Sequence, residues 1–365
     1  MFNKTKIFKM KKILIVERVI AHYRIPIWNI IAEKYNLTIG YFENDFSANK
    51  DCKFSVKKFD YNKIGPFIWV RNLRQFAKQF EVVCFMPDPH VLSYVSLPFL
   101  PHAYKLLTWS IGFRCSYIHP YVLKRKHTLM DKVYSSIYNS VDANVFYMKK
   151  ALEFWRDSEI DKSKVFIAPN TTAVEPIVVN PNPKKNILFV GTLYKGKGVD
   201  LLIKAFGDAI SYTHADMKLI VVGKGEMKGE LEHLVSDAKL EKYVEFTGAI
   251  YDESLLASYF QKALLCVSPL QGGLTCPKSM GYGVPFVCRK DAITGGEIYH
   301  MKNGVSGIMY DNNDDLVDIL KDSMINPRKY IEMGLNAKEY YDNFATPSCT
   351  AKGFIDALNS VFESK

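Results

Sequence analysis

The sequence predicts an α/β protein built from two doubly wound domains that face each other across a cleft. Three observations carry this. Short uncharged runs, among them Ile13–Val16 (ILIV), Val82–Phe85 (VVCF), Asn186–Gly191 (NILFVG) and Ala263–Val267 (ALLCV), read as strands buried on both faces, as in a parallel sheet. Helix-like segments alternate with them, which is the signature of βαβ units. Between the halves, Pro169 to Pro183 carries four prolines and few helix formers, so it reads as a linker after which the pattern restarts. The expected division is 1–172, 173–345, and a closing helical segment, 346–365, that crosses back to the first domain.

Taken in order, the strand Ile13–Val16 leads into a loop, Glu17 to Arg24 (ERVIAHYR), and a helix from Pro26 to Lys34 with proline in its first turn. Further strands are expected at Leu37–Phe42, Val82–Phe85, Lys105–Trp109, Ala143–Phe146 and Val165–Ile167. Helices are expected at Trp69–Phe80 and Met148–Arg156. The second half predicts strand Asn186–Gly191, helix Val199–Phe206, strand Leu219–Val222, helix Met227–Ala238, strand Val244–Phe246 and helix Ser254–Gln261. Strand 263–267, helix 274–282 and strand Pro285–Cys288 follow. Helices near 313–323, 328–341 and Thr350–Phe362 close the chain.

The 365 residues suffice for two domains of ordinary size. A hydrophobic content of 48% with 24% charged residues describes a chain that buries a core. The 48 Lys+Arg outnumber 38 Asp+Glu, for a net charge of +10, which favours acidic partners: phosphorylated ligands, anionic lipid or nucleic acid. No RRM, KH or helix-turn-helix signature appears, which argues against nucleic acid. Seven cysteines form no CxxC pair and read as reduced cytosolic thiols, and no Cys/His spacing suggests zinc. No apolar run reaches the roughly 18–20 residues of a spanning helix. The expected location is therefore the cytoplasm, against the inner face of the membrane. The basic start MFNKTKIFKMKK precedes a strand rather than a signal-peptide core, and Met10-Lys11-Lys12 reads as the natural beginning.

Two loops carry chemistry. In Ser268–Pro285 (SPLQGGLTCPKSMGYGVP), Pro269, Gly272 and Gly273 end a strand, and a helix starts near Leu274 or Thr275. Free N–H groups and the positive end of the helix dipole gather there, which favours phosphate. Gly191–Gly198 (GTLYKGKG) is a second strand-loop-helix position, with Lys195 and Lys197 supplying charge. It is neither G-x-x-x-x-G-K-[ST] nor G-x-G-x-x-G, which excludes a P-loop and argues against a dinucleotide-dependent oxidoreductase. Lys197, with the amides of Gly273, Leu274 and Thr275, would clasp a diphosphate from two sides.

FVGTLYKGKGVDLLIKAF resembles the FVG-x-L-x-x-x-KG-x-x-x-L-x-x-AF segment of the family 4 glycosyltransferases. KLIVVGKGE, VEFTGAI, SPLQGGLTCPKSMGYGVPFV and EIYHMKNGVSGIMY resemble the segments that follow in that family, in order and spacing. The match covers residues 186 to 312, and HYRIPIWNIIAEKYNLTI is similar to the opening of polysaccharide-building members. The resemblance implies the GT-B fold of two Rossmann-like domains. It also implies retaining transfer of a sugar from a nucleotide-diphosphate donor, with no cofactor and no bound metal. It places Lys197 on the diphosphate, Gly273, Leu274 and Thr275 on phosphate and sugar, and Gly248 and Ile250 beside the nucleotide base. Lys195 joins the diphosphate set, as does Thr192, which stands where the family has arginine. The family's Glu-x7-Glu pair falls on Leu270 and Lys278, so both carboxylates are missing. Lys278 then either adds charge for phosphate or is a surface lysine. Gln271, one place along, is the expected group for a sugar hydroxyl.

Glu297, after Gly295-Gly296, either accepts sugar or ribose hydroxyls or caps a helix start. In the first half, His22 is the candidate general base, and Glu17 and Arg24 the candidate acceptor-binding residues. Each has a plainer reading as a loop histidine or an ion pair. Ile111 stands where many family members carry a histidine, which leaves His22, His90 and His119 as substitutes. Phe113–Lys132 mixes aromatic and basic residues, reading either as an anionic-membrane contact near a lipid-linked acceptor or as a solvated amphipathic helix. The expected function is a glycosyltransferase of surface polysaccharide synthesis. The rivals are a non-catalytic relative that binds a sugar nucleotide or a partner transferase, and a sugar-nucleotide epimerase.

Overall fold

The computed structural model describes residues 10–46, 51–115, 121–176 and 184–363. These fall into two compact units, one drawn from Met1–Arg114, Val122–Pro169 and Pro347–Lys365, the other from Cys115–Tyr121 and Asn170–Thr346.

The first unit is built on a parallel sheet. Its strands are β1 (Lys12–Val16), β2 (Asn36–Tyr41), β3 (Ser55–Lys58), β6 (Val82–Phe85), β7 (Lys105–Ser110), β8 (Ala143–Phe146) and β9 (Val165–Ile167), in the spatial order β3-β2-β1-β6-β7-β8-β9. Ile13, Leu14, Ile15 and Val16 are all buried, as both faces of such a sheet require. Between β3 and β6 lies an antiparallel hairpin, β4 (Tyr61–Ile64) and β5 (Phe67–Val70). The helix expected at Trp69–Phe80 is therefore shortened to α2 (Leu73–Ala77), numbered after α1 (Ile25–Ala32). Phe67–Val70 follows period 2 rather than 3.6. Ile68 and Val70 are 2% and 1% exposed, whereas Phe67 and Trp69 are 44% and 46% exposed, which is a half-buried strand. Two more helices follow, α3 (Leu92–Phe99) and α4 (Leu129–Asn139). The helix expected at Met148–Arg156 survives only as a short 3-10 segment, Lys149–Glu153. There Trp155 Nε1 donates to Gly112 O at 2.7 Å and pins the chain.

The second unit repeats the scheme. Strands β10 (Asn186–Val190), β11 (Lys218–Val222), β12 (Val244–Gly248), β13 (Ala263–Val267), β14 (Phe286–Arg289) and β15 (Gly307–Tyr310) lie in the order β12-β11-β10-β13-β14-β15. Their connections are α5 (Val199–Thr213), α6 (Lys228–Asp237), α7 (Glu253–Lys262) and α8 (Thr275–Gly281), followed by α9 (Asn313–Ile325) and α10 (Pro327–Phe344). Hydrophobic cores cover both faces of the sheet. The chain moves outward from β10 on one side and from β13 on the other, so the order reverses between these two strands. Ligands of open parallel sheets bind beside the carboxyl ends of strands at such a reversal. The last helix, α11 (Pro347–Glu363), belongs to the first unit, packing on α1, β8 and β9. Phe354 meets the edge of Trp28 at 6.0 Å between ring centres. No helix of the described residues is long and apolar enough to cross a membrane.

Candidate functional site

At the reversal point, the loops after β10 and β13 are bonded to one another. Leu270 N donates to Lys197 O at 3.3 Å, and Thr275 Oγ1 donates to Val190 O at 3.3 Å. The first loop is also sewn to the turn after β11: Gly191 N donates to Val222 O at 3.0 Å and Leu193 N to Lys224 O at 2.9 Å. That approach needs glycine at 223, because a Cβ there would overlap Gly191 O.

Lys197 lies in a short 3-10 helix, Lys195–Lys197, with its amine folded back over Gly191. A Cβ built on Gly191 would be 3.5 Å from Lys197 Nζ. Burial strips water from the amine and pushes its pKa down to about 8. Among the described residues no carboxylate balances it. Across the loop, the amides of Gly273, Leu274 and Thr275 donate to no acceptor among the described residues. Their neighbours are engaged: Gly272 N donates to Ile293 O and Cys276 N to Gly273 O, both at 2.9 Å. An unbalanced cation and three consecutive unclaimed N–H groups form an anion receptor. Lys195 and Thr192 are exposed on the same loop. Gly248 ends β12 at the same edge of the sheet, with φ of +76°, and Ile250 is partly buried beside it.

Three expected site residues are engaged elsewhere. Lys278 Nζ sits 2.6 and 2.7 Å from the two carboxylate oxygens of Glu253, so its charge is already met and is not free for a diphosphate. Glu253 had gone unremarked in the sequence. Asp252 beside it caps α7, its side chain accepting from Leu255 N, and that cap is the signal that places Glu253 on the first turn. Glu297 is buried and saturated. It accepts from Asn170 Nδ2 at 2.7 Å, Thr294 Oγ1 at 3.0 Å and Gly295 N at 2.7 Å. It therefore braces its own turn rather than offering oxygens to a sugar. Gln271 is buried, with Oε1 accepting from Tyr194 OH at 2.5 Å; this ties the two loops again and leaves only its amide nitrogen to reach outward.

In the first unit, the loop after β1 closes on itself. The Arg24 guanidinium donates to Glu17 Oε1, to Tyr147 OH at 3.0 Å and to Tyr23 OH at 3.1 Å. It also lies 4.4 Å from the centre of the Trp109 ring. Both partners of the ion pair are buried. Burial raises the Glu17 pKa, and Arg24 opposes that rise. The expectation that Glu17 and Arg24 bind an acceptor is thus corrected: the pair is buried, and each nitrogen of the guanidinium already donates to a partner within the unit. His22 is exposed. His90 is bound to Asp88, Nδ1 to Oδ1 3.1 Å, and His119 lies outside the described residues.

The described part of the basic-aromatic stretch divides: Val122 and Leu129 are 44% and 80% exposed and Lys124, Lys126 and Lys132 are exposed, while other members turn inward. Phe113 is buried and stacks on Phe154 at 4.7 Å, and Tyr121 is buried. Arg125 holds Asp131 through two bonds of 2.7 Å. Although burial opposes ionisation of Asp131, Arg125 and the Thr128 donors keep its pKa near 2. Tyr117 and Ile118 lie outside the described residues.

Comparison with known proteins sharpens this. Residues 184–326 match the family described as Glycosyl transferases group 1. The chain is 27% identical to an uncharacterised glycosyltransferase of Methanocaldococcus jannaschii over 167 residues, 44% of this chain and 42% of that protein. It is 22% identical to one of Haemophilus influenzae over 293 residues, 80% of this chain and 78% of that protein. With the alpha-monoglucosyldiacylglycerol synthase of Acholeplasma laidlawii it shares 24% identity over 169 residues, 44% and 41% of the two chains. The matches to the first and last of these thus span under half of the relatives' length. Among solved structures, Anabaena HepE in complex with UDP superposes with a TM-score of 0.70 at 14% identity, covering 96% of this chain and 100% of that one. The lipopolysaccharide outer core galactosyltransferase WaaB does so with 0.69 at 16% identity, with coverage of 96% and 100%. That likeness is one of fold, the two Rossmann-like units of the GT-B class.

Proposed function

We propose that this chain, which through residues 184–326 belongs to the Glycosyl transferases group 1 family, moves a sugar from a nucleotide-diphosphate donor to a lipid-linked glycan acceptor, with retention at the anomeric carbon. The observation that carries the reading is the unbalanced Lys197 amine beside the free amides of Gly273, Leu274 and Thr275. A diphosphate bound there restores the missing counter-charge. As the bond from the anomeric carbon to the diphosphate oxygen breaks, negative charge grows on that oxygen. Preformed donors stabilise it without reorganising, a contribution of roughly 3–4 kcal/mol per well-placed group. The new bond runs from the acceptor hydroxyl to the anomeric carbon, and His22 is the proposed base for the released proton. Gly248 and Ile250 line the base, and Thr192 and Lys195 flank the phosphates. Surface polysaccharide synthesis on the inner face of the membrane is the proposed setting. Names of similar proteins agree with this: UDP in HepE, a lipopolysaccharide acceptor for WaaB and a glycolipid product for the Acholeplasma enzyme.

The test is a panel of UDP-, GDP-, ADP-, CMP- and dTDP-sugars, read by thermal shift and by release of free nucleotide. At least one should raise the melting temperature of the wild type and not of Lys197→Ala. No shift with any donor would overturn the reading.

One observation favours a second reading, a non-catalytic relative that binds a sugar nucleotide. Leu270 and Lys278 occupy the positions of the family's two carboxylates, and Lys278 is neutralised by Glu253. Multiple turnover by the purified protein alone would exclude it.

A further inference from the structure

The β4–β5 hairpin and the cavity at its root form a feature that sugar transfer does not use. In the hairpin register Ile64 faces Phe67 and Asn62 faces Trp69, so Ile64, Phe67 and Trp69 share one face. They are 78%, 44% and 46% exposed, and the opposite face buries Ile68 and Val70. Leu92, 40% exposed, follows Val91, which bridges to Ile68, and so extends the apolar patch. A lone exposed leucine means little, but a contiguous set of large apolar side chains on a projecting hairpin marks a contact surface.

The surroundings of that hairpin say what it contacts. From Ser55 to Gln79 the chain carries six cations, Lys57, Lys58, Lys63, Arg71, Arg74 and Lys78, against a single carboxylate, Asp60; Lys58 is paired with Asp45, which leaves the other five to give the hairpin its positive charge. The residues just before and just after the hairpin enclose a cavity of about 450 Å³, whose lining includes Lys57, Lys58, Arg71, Asn72, Gln75 and Phe76. Lys57 stands 5.9 Å above the Phe76 ring. Arg71 Nε donates to Asn62 Oδ1 at 3.1 Å, which holds a guanidinium beside the partner of Trp69. An apolar tip ringed by cations, with a polar cationic hollow at its base, is complementary to an anionic bilayer. The tip enters the acyl boundary, the indole sits at the interface, and lipid phosphates meet the cations.

We infer that the β4–β5 hairpin, with Ile64, Phe67 and Trp69 at its face and the Lys57–Arg71 cavity at its root, docks the first unit on anionic membrane lipid. This deepens the membrane-associated reading above by naming the surface. Vesicle binding measured without donor separates its failure from failure of sugar transfer.

Tryptophan provides the probe. Of the four tryptophans, Trp28, Trp109 and Trp155 are buried, and Trp69 is 46% exposed, so a shift in emission on binding reports the hairpin. The full chain is mixed with phosphatidylglycerol–phosphatidylcholine vesicles and with pure phosphatidylcholine vesicles, then read by co-sedimentation and fluorescence. The expected result is binding to the anionic vesicles alone, weakened by salt, with a blue shift of emission. The triple variant Ile64→Ser/Phe67→Ser/Trp69→Ser, its fold checked by melting temperature, should lose binding at least tenfold. Lys57→Glu/Lys63→Glu should lose more than tenfold, at roughly fivefold per cation removed. Equal binding to neutral vesicles, unmoved emission, or a triple variant that still binds would overturn the inference. So would a lipid-independent dimer that the triple variant abolishes, since the patch would then belong to a second copy.

Discussion

Each of the two parallel sheets places a cation in the loop beyond its first strand, and the two units treat it in opposite ways. Arg24, after β1, is buried against Glu17, Tyr147, Tyr23 and Trp109, with each guanidinium nitrogen bonded. Lys197, after β10, is partly buried and given no counter-ion among the described residues. Burial without a partner disfavours a charged lysine, and a fold retains such a group at a cost in stability. The difference teaches that a sheet edge becomes a site where charge is left unmet. At the first edge the cation is met by side chains of its own unit; at the second the proposed counter-charge is the donor's diphosphate.

That contrast can be broken most forcefully at Arg24. Arg24→Ala strands the buried Glu17 carboxylate and should cost about 3–5 kcal/mol of stability, seen as a lower denaturant midpoint. The double variant Glu17→Met/Arg24→Met should recover most of that loss. If Arg24→Ala melts like the wild type, the pair is not structural and the contrast fails.

The next effect is at Lys197. Lys197→Ala should weaken nucleoside-diphosphate binding about 100-fold in calorimetry, since charge-assisted bonds contribute roughly 1.5–3 kcal/mol. Stability should stay level or rise, because the unpaired charge is gone. A strongly destabilised Lys197→Ala would mean that the lysine serves the fold, like Arg24.

Acidity sharpens the same point. With its free pKa lowered to about 8 by desolvation, Lys197 is charged below that pH and neutral above it. A bound diphosphate favours the charged form, so binding takes up a proton above pH 8. Affinity should hold from pH 6 to 7.5 and fall above about 8, by up to tenfold per unit. Lys197→Arg should flatten the profile, since guanidinium does not titrate in this range.

The smallest effect is at Glu253. Its pair with Lys278 is partly exposed, with side-chain accessibilities of 46% and 14%. Glu253→Gln should therefore cost no more than about 1 kcal/mol and change nucleotide affinity less than about fivefold. A larger loss of affinity would make Glu253 part of the donor site.

Much of this was legible from neighbouring residues. Continuous apolar runs marked the parallel strands, and glycines between strand and helix marked the two loops at the sheet reversal, because these signals are local. What stayed hidden depended on distant partners. Glu297 is saturated by Asn170, 127 positions earlier. Arg24 is held by Tyr147, 123 positions later. No spacing rule connects such residues before the chain folds. The hairpin was missed for another reason: its strand Phe67–Val70 runs within a few residues into the helix-forming Leu73–Ala77, and the two periods blur in one window.

The most direct measurement is an NMR titration of the Lys197 side chain with and without UDP. The account predicts a pKa near 8 in the free protein and a rise of more than one unit when the diphosphate is bound. A Lys197 that titrates at the ordinary lysine value, or one that binding leaves unmoved, would contradict it.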